Sequence, residues 1–431
     1  MEELNKRRVA PERTQLIPVQ RLLTLLIVAT LATLTGSRAA AGGDGTDTDQ
    51  LVQGNNGFAV DLYHQLRQAP DNQDKNLFLS PFSVSSALAM TYAGARGETA
   101  EQMKRVLRFD QPAKQVHTAY HDLLQALRAR QEKDEVELHI ANALWGQTGY
   151  DFRDEYLEVT RKQYGAGLKQ VDFKRSAEQA REKINTWVAE NTRNKIKKLM
   201  PKGAITPRTR LALTNAVYFK AQWAHTFNKD ATRKREFRLR NGETIQTPMM
   251  HQTERFPFTR TDNVKLLEMP YKNRALAMVI LLPQEGTSLD TVEDQLNRNT
   301  LSTWLDHLDT ARVRVAIPKF KLTSRFILNE PLENMGMTDA FRPNKADFSG
   351  MTAAPKPRFF LQTVVHKAYV DVYEKGTEAA AATGVSLGVT SAQPEKPETF
   401  MADHPFLFIL RDRQTESILF IGRVLSPPGS E

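Results

Sequence analysis

The 431-residue chain contains no cysteine. That excludes disulfide frameworks, thiolate zinc sites, iron–sulfur clusters, cysteine nucleophiles and lipid attachment through an N-terminal Cys. The compartment stays open, because an exported protein can do without disulfides. Also missing are a G-x-x-x-x-G-K-[ST] phosphate loop and a dinucleotide fingerprint, which sets aside phosphoryl-transfer and redox enzymes. Neither sign of charge dominates: 59 Lys+Arg face 50 Asp+Glu, a net charge of +9 that falls to +6 beyond residue 41. The cations are interleaved with acids, as in Lys229 beside Asp230 and Arg235 beside Glu236, which reads as a solvated mixed-charge surface with no nucleic-acid partner. Hydrophobic residues at 40% and charged residues at 25% mark a globular chain. At roughly 150 residues per domain the length allows up to about three domains. Yet no Ser/Gly tract, charge block or repeat follows Phe58, so one large domain is expected.

Lys6, Arg7, Arg8, Arg13 and Arg21 precede an apolar run from Leu22 to Leu34, closed by Ala39, Ala40 and Ala41. This is the layout of an export signal, shorter than the ~20 residues of a spanning helix, with cleavage expected near Ala41. Residues 1–41 are therefore assigned to an export signal or N-terminal anchor, 42–54 to a flexible spacer and 55–431 to the folded domain. A secreted or extracytoplasmic location follows, the periplasm included, with membrane anchoring if the N-terminal segment is retained.

Phe58, Leu62 and Leu66 recur every four residues and predict an opening helix. Ser80 before Pro81 predicts a second helix start, with the hydroxyl capping and the proline in the first turn. That helix runs through small residues until Gly94 and Gly97. Helical patterns also cover 101–107, 117–130 and 177–198. Val136, Leu138 and Ile140 alternate like a strand, whereas 211–219 and 275–282 are nearly continuous apolar runs, as in strands covered on both faces. Val313, Val315 and Ile317 alternate up to Pro318, and strands are expected over 364–373, 406–410 and 418–424. Helices concentrate before residue 200 and strands after it, which predicts an α+β fold.

One enzyme motif is present, Gly384-Val385-Ser386-Leu387-Gly388, which fits the G-x-S-x-G nucleophile elbow. Its context argues against an esterase: an alanine run precedes it, a polar loop with Pro394 and Pro397 follows it, and the only downstream histidine, His404, adjoins Asp403. His117 and His121 have metal-pair spacing but lack the Glu of a zinc protease, and two surface histidines are expected. No metal and no cofactor is predicted. The unusual stretch is Glu374-Lys375-Gly376-Thr377-Glu378-Ala379-Ala380-Ala381-Ala382-Thr383-Gly384. Alanines behind a Thr cap suit a helix. As a strand, the same stretch would turn Thr377, Ala379, Ala381 and Thr383 to one small-sided face that a sheet could accept without burying a charge.

Here the chain resembles the serpin family, from about Phe58 to Pro427. Phe400-Met-Ala-Asp403-His404-Pro405-Phe406-Leu-Phe-Ile-Leu410 fits the family's C-terminal signature, and Phe420-Ile421-Gly422-Arg423-Val424 its closing strand. Asn215-Ala-Val-Tyr-Phe219-Lys220-Ala-Gln-Trp223 with Phe227, and Asn76 to Ser83, are similar to further family motifs. The resemblance implies a single domain with a large central mixed sheet, further sheets, eight or nine helices and an exposed reactive-centre loop over 374–399. It makes Glu374, Gly376, Thr377, Glu378, Ala379, Ala380, Ala381, Ala382 and Thr383 the hinge of that loop. It places Ser80, Ser83, Asn215 and His366 in the shutter where the sheet parts, and Trp223 in the breach above it. The implied activity is suicide inhibition: a serine protease attacks the loop, and the acyl-enzyme is trapped when the cut loop inserts. Family spacing puts the reactive bond at Thr390–Ser391. A small residue there, after Leu387 and Val389, points to an elastase-like or subtilisin-like protease as covalent partner of a monomer. A non-inhibitory chaperone or carrier would have bulky, charged or proline residues in the hinge, which are absent. A cysteine-protease inhibitor would look the same in sequence.

Overall fold

The computed structural model describes residues 46–428 apart from 135, 273, 353–358 and 378–395. Its helices are α1 (Asp47–Gln68), α2 (Pro81–Tyr92), α3 (Gly97–Leu107), α4 (Ala113–Asp134), α5 (Asp154–Tyr164), α6 (Phe173–Asn191), α7 (Leu289–Gln295), α8 (Arg298–Asp306) and α9 (Asn329–Asn334). Early strands are β1 (Leu77–Leu79), β2 (Glu137–Gln147), β3 (Leu168–Val171), β4 (Leu211–Gln222), β5 (Arg233–Arg238) and β6 (Thr244–Arg260). The middle of the chain gives β7 (Val264–Pro270), β8 (Leu276–Pro283), β9 (Asp309–Pro318), β10 (Phe320–Ile327) and β11 (Thr363–Tyr373). Last come β12 (Gly376–Thr377), β13 (Glu398–Met401), β14 (Phe406–Asp412) and β15 (Ile418–Val424).

Two sheets organise these elements. A six-stranded mixed sheet runs β10-β11-β12-β4-β2-β3, with β11 also paired directly to β4. A nine-stranded sheet runs β1-β15-β14-β8-β7-β6-β9-β13, with β5 on the side of β6. The six-stranded sheet is covered on both faces. One face packs Ala141, Trp145, Ala212, Ala216 and Val365 against Ile184 and Val188 of α6. The other packs Leu144, Leu213 and Val217 into the main core with α2 and the second sheet. That double burial is why 211–219 reads as unbroken apolar sequence.

Three expectations need correcting. The spacer assigned to 42–54 gives way to helix from Asp47, because Thr46 and Asp49 form a reciprocal capping box and Leu51 and Val52 are buried. The helix expected over 177–198 stops at Asn191, since Arg193 and Asn194 take left-handed backbone (φ 48° and 60°) and turn the chain. His117 is no surface histidine: it is buried, and its Nδ1 lies 2.6 Å from the Tyr164 hydroxyl. Burial pushes its pKa down to about 4. The start of α2 follows the cap chemistry, with Ser80 Oγ accepting the Ser83 N–H at 3.3 Å.

Candidate functional site

The four shutter candidates lie in one buried network beneath the seam between β4 and β11. His366 and Asn215 are register partners across that seam. His366 Nε2 accepts the Ser80 N–H at 3.0 Å, which leaves Nδ1 to carry the proton and donate to Asn215 Oδ1. Asn215 Nδ2 donates to Ser83 Oγ at 2.5 Å, and Ser80 Oγ donates to the Leu419 carbonyl at 2.7 Å. The hub that sequence reasoning missed is Asn142 of β2. Its Oδ1 accepts from Ser83 Oγ at 3.1 Å and from Asn215 Nδ2, and its Nδ2 donates to the Ser83 carbonyl at 3.2 Å. The signal was a lone amide between Ala141 and Ala143 on a strand otherwise rich in apolar residues. Burial drives the His366 pKa down to about 3, so the ring is neutral at ordinary pH. The His366–Asn215 bond is a side-chain link across the β4–β11 seam, and Ser80 and Ser83 tie both of its partners to the start of α2.

Above the shutter the same seam is open, and β12 sits in it. Thr377 pairs with Val372 of β11 and Ala221 of β4, and Gly376 with Tyr373 and Gln222, antiparallel on both sides. A Cβ on Gly376 would lie 2.1 Å from the Ala221 carbonyl oxygen, and φ there is +153°, so only glycine fits. Thr377 is fully buried, its Oγ1 3.0 Å from the Tyr271 hydroxyl. The Tyr271 ring stacks on Trp223 at 4.6 Å. Trp223 Nε1–H donates to the Tyr373 carbonyl at 3.1 Å, and its backbone N–H to the Lys375 carbonyl at 3.0 Å. Glu374 is anchored as well. Lys319 Nζ approaches its Oε2 at 3.1 Å, Thr232 Oγ1 donates to its Oε1 at 2.9 Å, and the Phe227 N–H donates to its carbonyl. Burial raises the Glu374 pKa, but the bonds from its own backbone, Thr232 and Lys319 outweigh it and keep the carboxyl below its usual range.

Tyr271, Lys319 and Thr232 were not legible as hinge partners, being distant in the chain. Of the hinge candidates, Glu378, Ala379, Ala380, Ala381, Ala382 and Thr383 lie outside the described residues. So do Thr390 and Ser391 of the expected reactive bond and Ser386 of the G-x-S-x-G motif. The arrangement that is described contains no nucleophile–base pair aimed at a cleft. It is a strand start lodged in a sheet above a buried hydrogen-bond network that ties β4 to β11.

A family model described as Serpin (serine protease inhibitor) matches residues 53–427. The chain belongs to the serpin family. Leukocyte elastase inhibitors of Bos taurus and Homo sapiens are 44% and 41% identical to it, over 88% of this chain and 100% of theirs. An uncharacterised serpin-like protein of Thermococcus kodakarensis is 41% identical over 88% of this chain and 86% of its own. Among solved structures, a tumour-suppressing serpin aligns with a TM-score of 0.79 at 30% identity, covering 88% of this chain and 100% of that one. Human thyroxine-binding globulin aligns with a TM-score of 0.78 at 31% identity, covering 89% and 100%. The serpin assignment fits the two sheets and the helices packed on them, and it makes the protein a protease inhibitor, not an enzyme.

Proposed function

We propose that this serpin inhibits serine proteases as a suicide substrate whose cut loop inserts between β4 and β11. The observation that carries the reading is β12, two residues of the hinge already paired to both strands at the top of the seam. The protease serine would add to the loop carbonyl at residue 390, and the new amine at residue 391 would leave with a proton from the protease histidine. An ester then joins the two proteins. Continuing the β12 register would bring Ala379 between Phe219 and Val370, and Ala380 between Tyr218 and Tyr369. If insertion outruns water, the ester survives. An elastase-like or subtilisin-like target is supported by the small residues before the proposed bond and by the printed names of the leukocyte elastase inhibitors.

The test is incubation with proteases of both kinds, followed by denaturing electrophoresis and mass determination of the released C-terminal peptide. A covalent band with a new amine at Ser391 supports the proposal. Complete cleavage with no band at any protease ratio refutes it. We further propose that residues 1–41 direct export with cleavage near Ala41. N-terminal sequencing of the protein from its own cells would show a start at about residue 42 if so.

A further inference from the structure

The outer edge of β2 is only half used. β3 pairs with Leu144–Gln147, and between Glu137 and Ala143 no described strand lies on that side. In an antiparallel pair every second residue turns both its N–H and its C=O away from the partner strand. Along Leu138–Asn142 the groups that turn away from β4 therefore have no backbone partner among the described residues. Folded proteins ordinarily blunt or cover such an edge, because its free groups are a template for another strand. Here the neighbouring elements stand off from it. Between the edge, α4 and α6 lies a cavity of about 440 Å³, within the size range of ligand pockets.

The cavity wraps the edge and reaches both faces of β2. Leu138, Ile140 and Asn142 share the face toward α2 and α4, where buried Leu124 and Leu127 complete an apolar floor. Trp145 and its register partner Lys169 take the opposite face, and the Lys169 ammonium lies 5.2 Å from the centre of the Trp187 ring. Across from the edge runs Gly165-Ala166-Gly167, whose side chains amount to a single methyl group; a Cβ on Gly167 would meet nothing within 4 Å. Arg128 stands at the mouth, where its guanidinium lies against Gly165 and donates to the Tyr164 carbonyl at 3.3 Å. No carboxylate is among the described lining residues, and neither Arg128 nor Lys169 pairs with one among the described residues. At its inner end the cavity touches Asn142, the hub of the network beneath the seam.

We propose that this edge binds an extended acidic segment of a partner protein as an added strand beside β2. The unpaired edge supplies main-chain donors and acceptors, the nearly bare wall at Gly165–Gly167 leaves width for a backbone, and two cations without a carboxylate call for acidic side chains. Side chains alternate along such a strand, so an apolar one would lie over Leu127 and Leu138 while the acids on either side of it turn toward Lys169. A small amphiphilic anion could use the cations and the apolar floor, but it would leave the strand edge unpaired. The proposal does not depend on the inhibitory reading.

The probe is a fluorescein-labelled, C-terminally amidated peptide in which glutamate and valine alternate, titrated with the full chain and followed by fluorescence anisotropy. Saturable binding is expected, weakened about tenfold in Lys169→Glu and in Arg128→Glu and less in Lys169→Gln. Two N-methylated peptides give the decisive readout on the unmodified protein, since they keep every charge. An added strand points only alternate N–H groups at β2, so methylating either the valine or the glutamate nitrogens should cost about tenfold, and methylating the other set should cost little. A peptide with lysine in place of glutamate should not bind. Absence of saturable binding overturns the proposal. So does equal binding of the parent and both N-methylated peptides, which would leave charge alone at work, or unchanged affinity in Lys169→Glu and Arg128→Glu together. Binding of decanoate where the peptide fails to bind would make the cavity a small-molecule site and overturns it as well.

Discussion

His366 makes two hydrogen bonds that demand one protonation state. Its Nε2 must offer a lone pair to the Ser80 N–H, and its Nδ1 must offer a proton to Asn215. A second proton would set N–H against N–H in a fully buried site, which agrees with a pKa pushed down to about 3 by burial. The unfolded chain, with a histidine pKa near 6.5, takes that proton and the folded one does not. Stability is therefore complete above pH ~6.5 and falls as the pH drops from there toward 3, by up to about 1.4 kcal/mol per pH unit for this group. His117, lowered to about 4, adds a second loss over pH ~6.5 to 4. Denaturant unfolding at pH 7.5 and 5 checks this. The native protein should lose roughly 2 kcal/mol through His366 alone, whereas His366→Gln should begin less stable and lose correspondingly less. Equal losses in both proteins would mean that His366 is protonated in the fold.

Among the elements, β12 is the shortest and holds the most specific contacts, and two substitutions probe it differently. Gly376→Ala drives a methyl group into the Ala221 carbonyl, so the strand start must leave the seam and Thr377 must lose Tyr271. A cost of about 1–3 kcal/mol is expected, read as a lower unfolding midpoint together with a change in Trp223 fluorescence, because Trp223 stacks on the same tyrosine. Thr377→Arg asks instead for a charge at a fully buried position, so the cut loop should stop at the top of the seam and water should win. The number of inhibitors cleaved per complex should rise at least tenfold, measured by titration against a fixed amount of protease. Much of this level was legible in the chain. The Ser80–Pro81 helix start is local cap chemistry, and the 211–219 run announces burial on two faces. The small polar stretch around Thr46 hid a capping box because composition outweighed position. The end of α6 was overrun because Ile196, Leu199 and Met200 stay apolar and buried after the chain has turned at Arg193. The motif resemblance located Ser80, Ser83, Asn215 and His366, but Asn142, Tyr271 and Lys319 join the site only through pairings between segments far apart in sequence, which periodicity cannot register.

For the whole molecule, the decisive quantity is the difference in free energy between intact and cut forms. At present β11 and β4 meet as a parallel pair from Thr363–Ala212 up to Tyr369–Tyr218. Insertion would replace that pair with two antiparallel ladders, continuing the pairing β12 already makes on both sides. The sheet would lose the His366–Asn215 bond and the ring contact of Tyr218 with Tyr369, whose centroids are 6.0 Å apart. It would gain a strand's worth of backbone hydrogen bonds, each contributing about 0.5–1.5 kcal/mol net, and the burial of small apolar side chains. Several residues of inserted strand therefore outweigh a few exchanged contacts. A net gain of even ~4 kcal/mol raises the melting temperature by about 5 °C in a chain of this size, and a full inserted strand by proportionally more. Thermal unfolding before and after cutting at residues 390–391 should show that rise in the native sequence and little of it in Thr377→Arg, whose loop is cut at the same bond but stopped at the top of the seam. An equal rise in both would place the added stability outside the sheet, and no rise in either would leave β12 as a fixed end rather than the beginning of a strand.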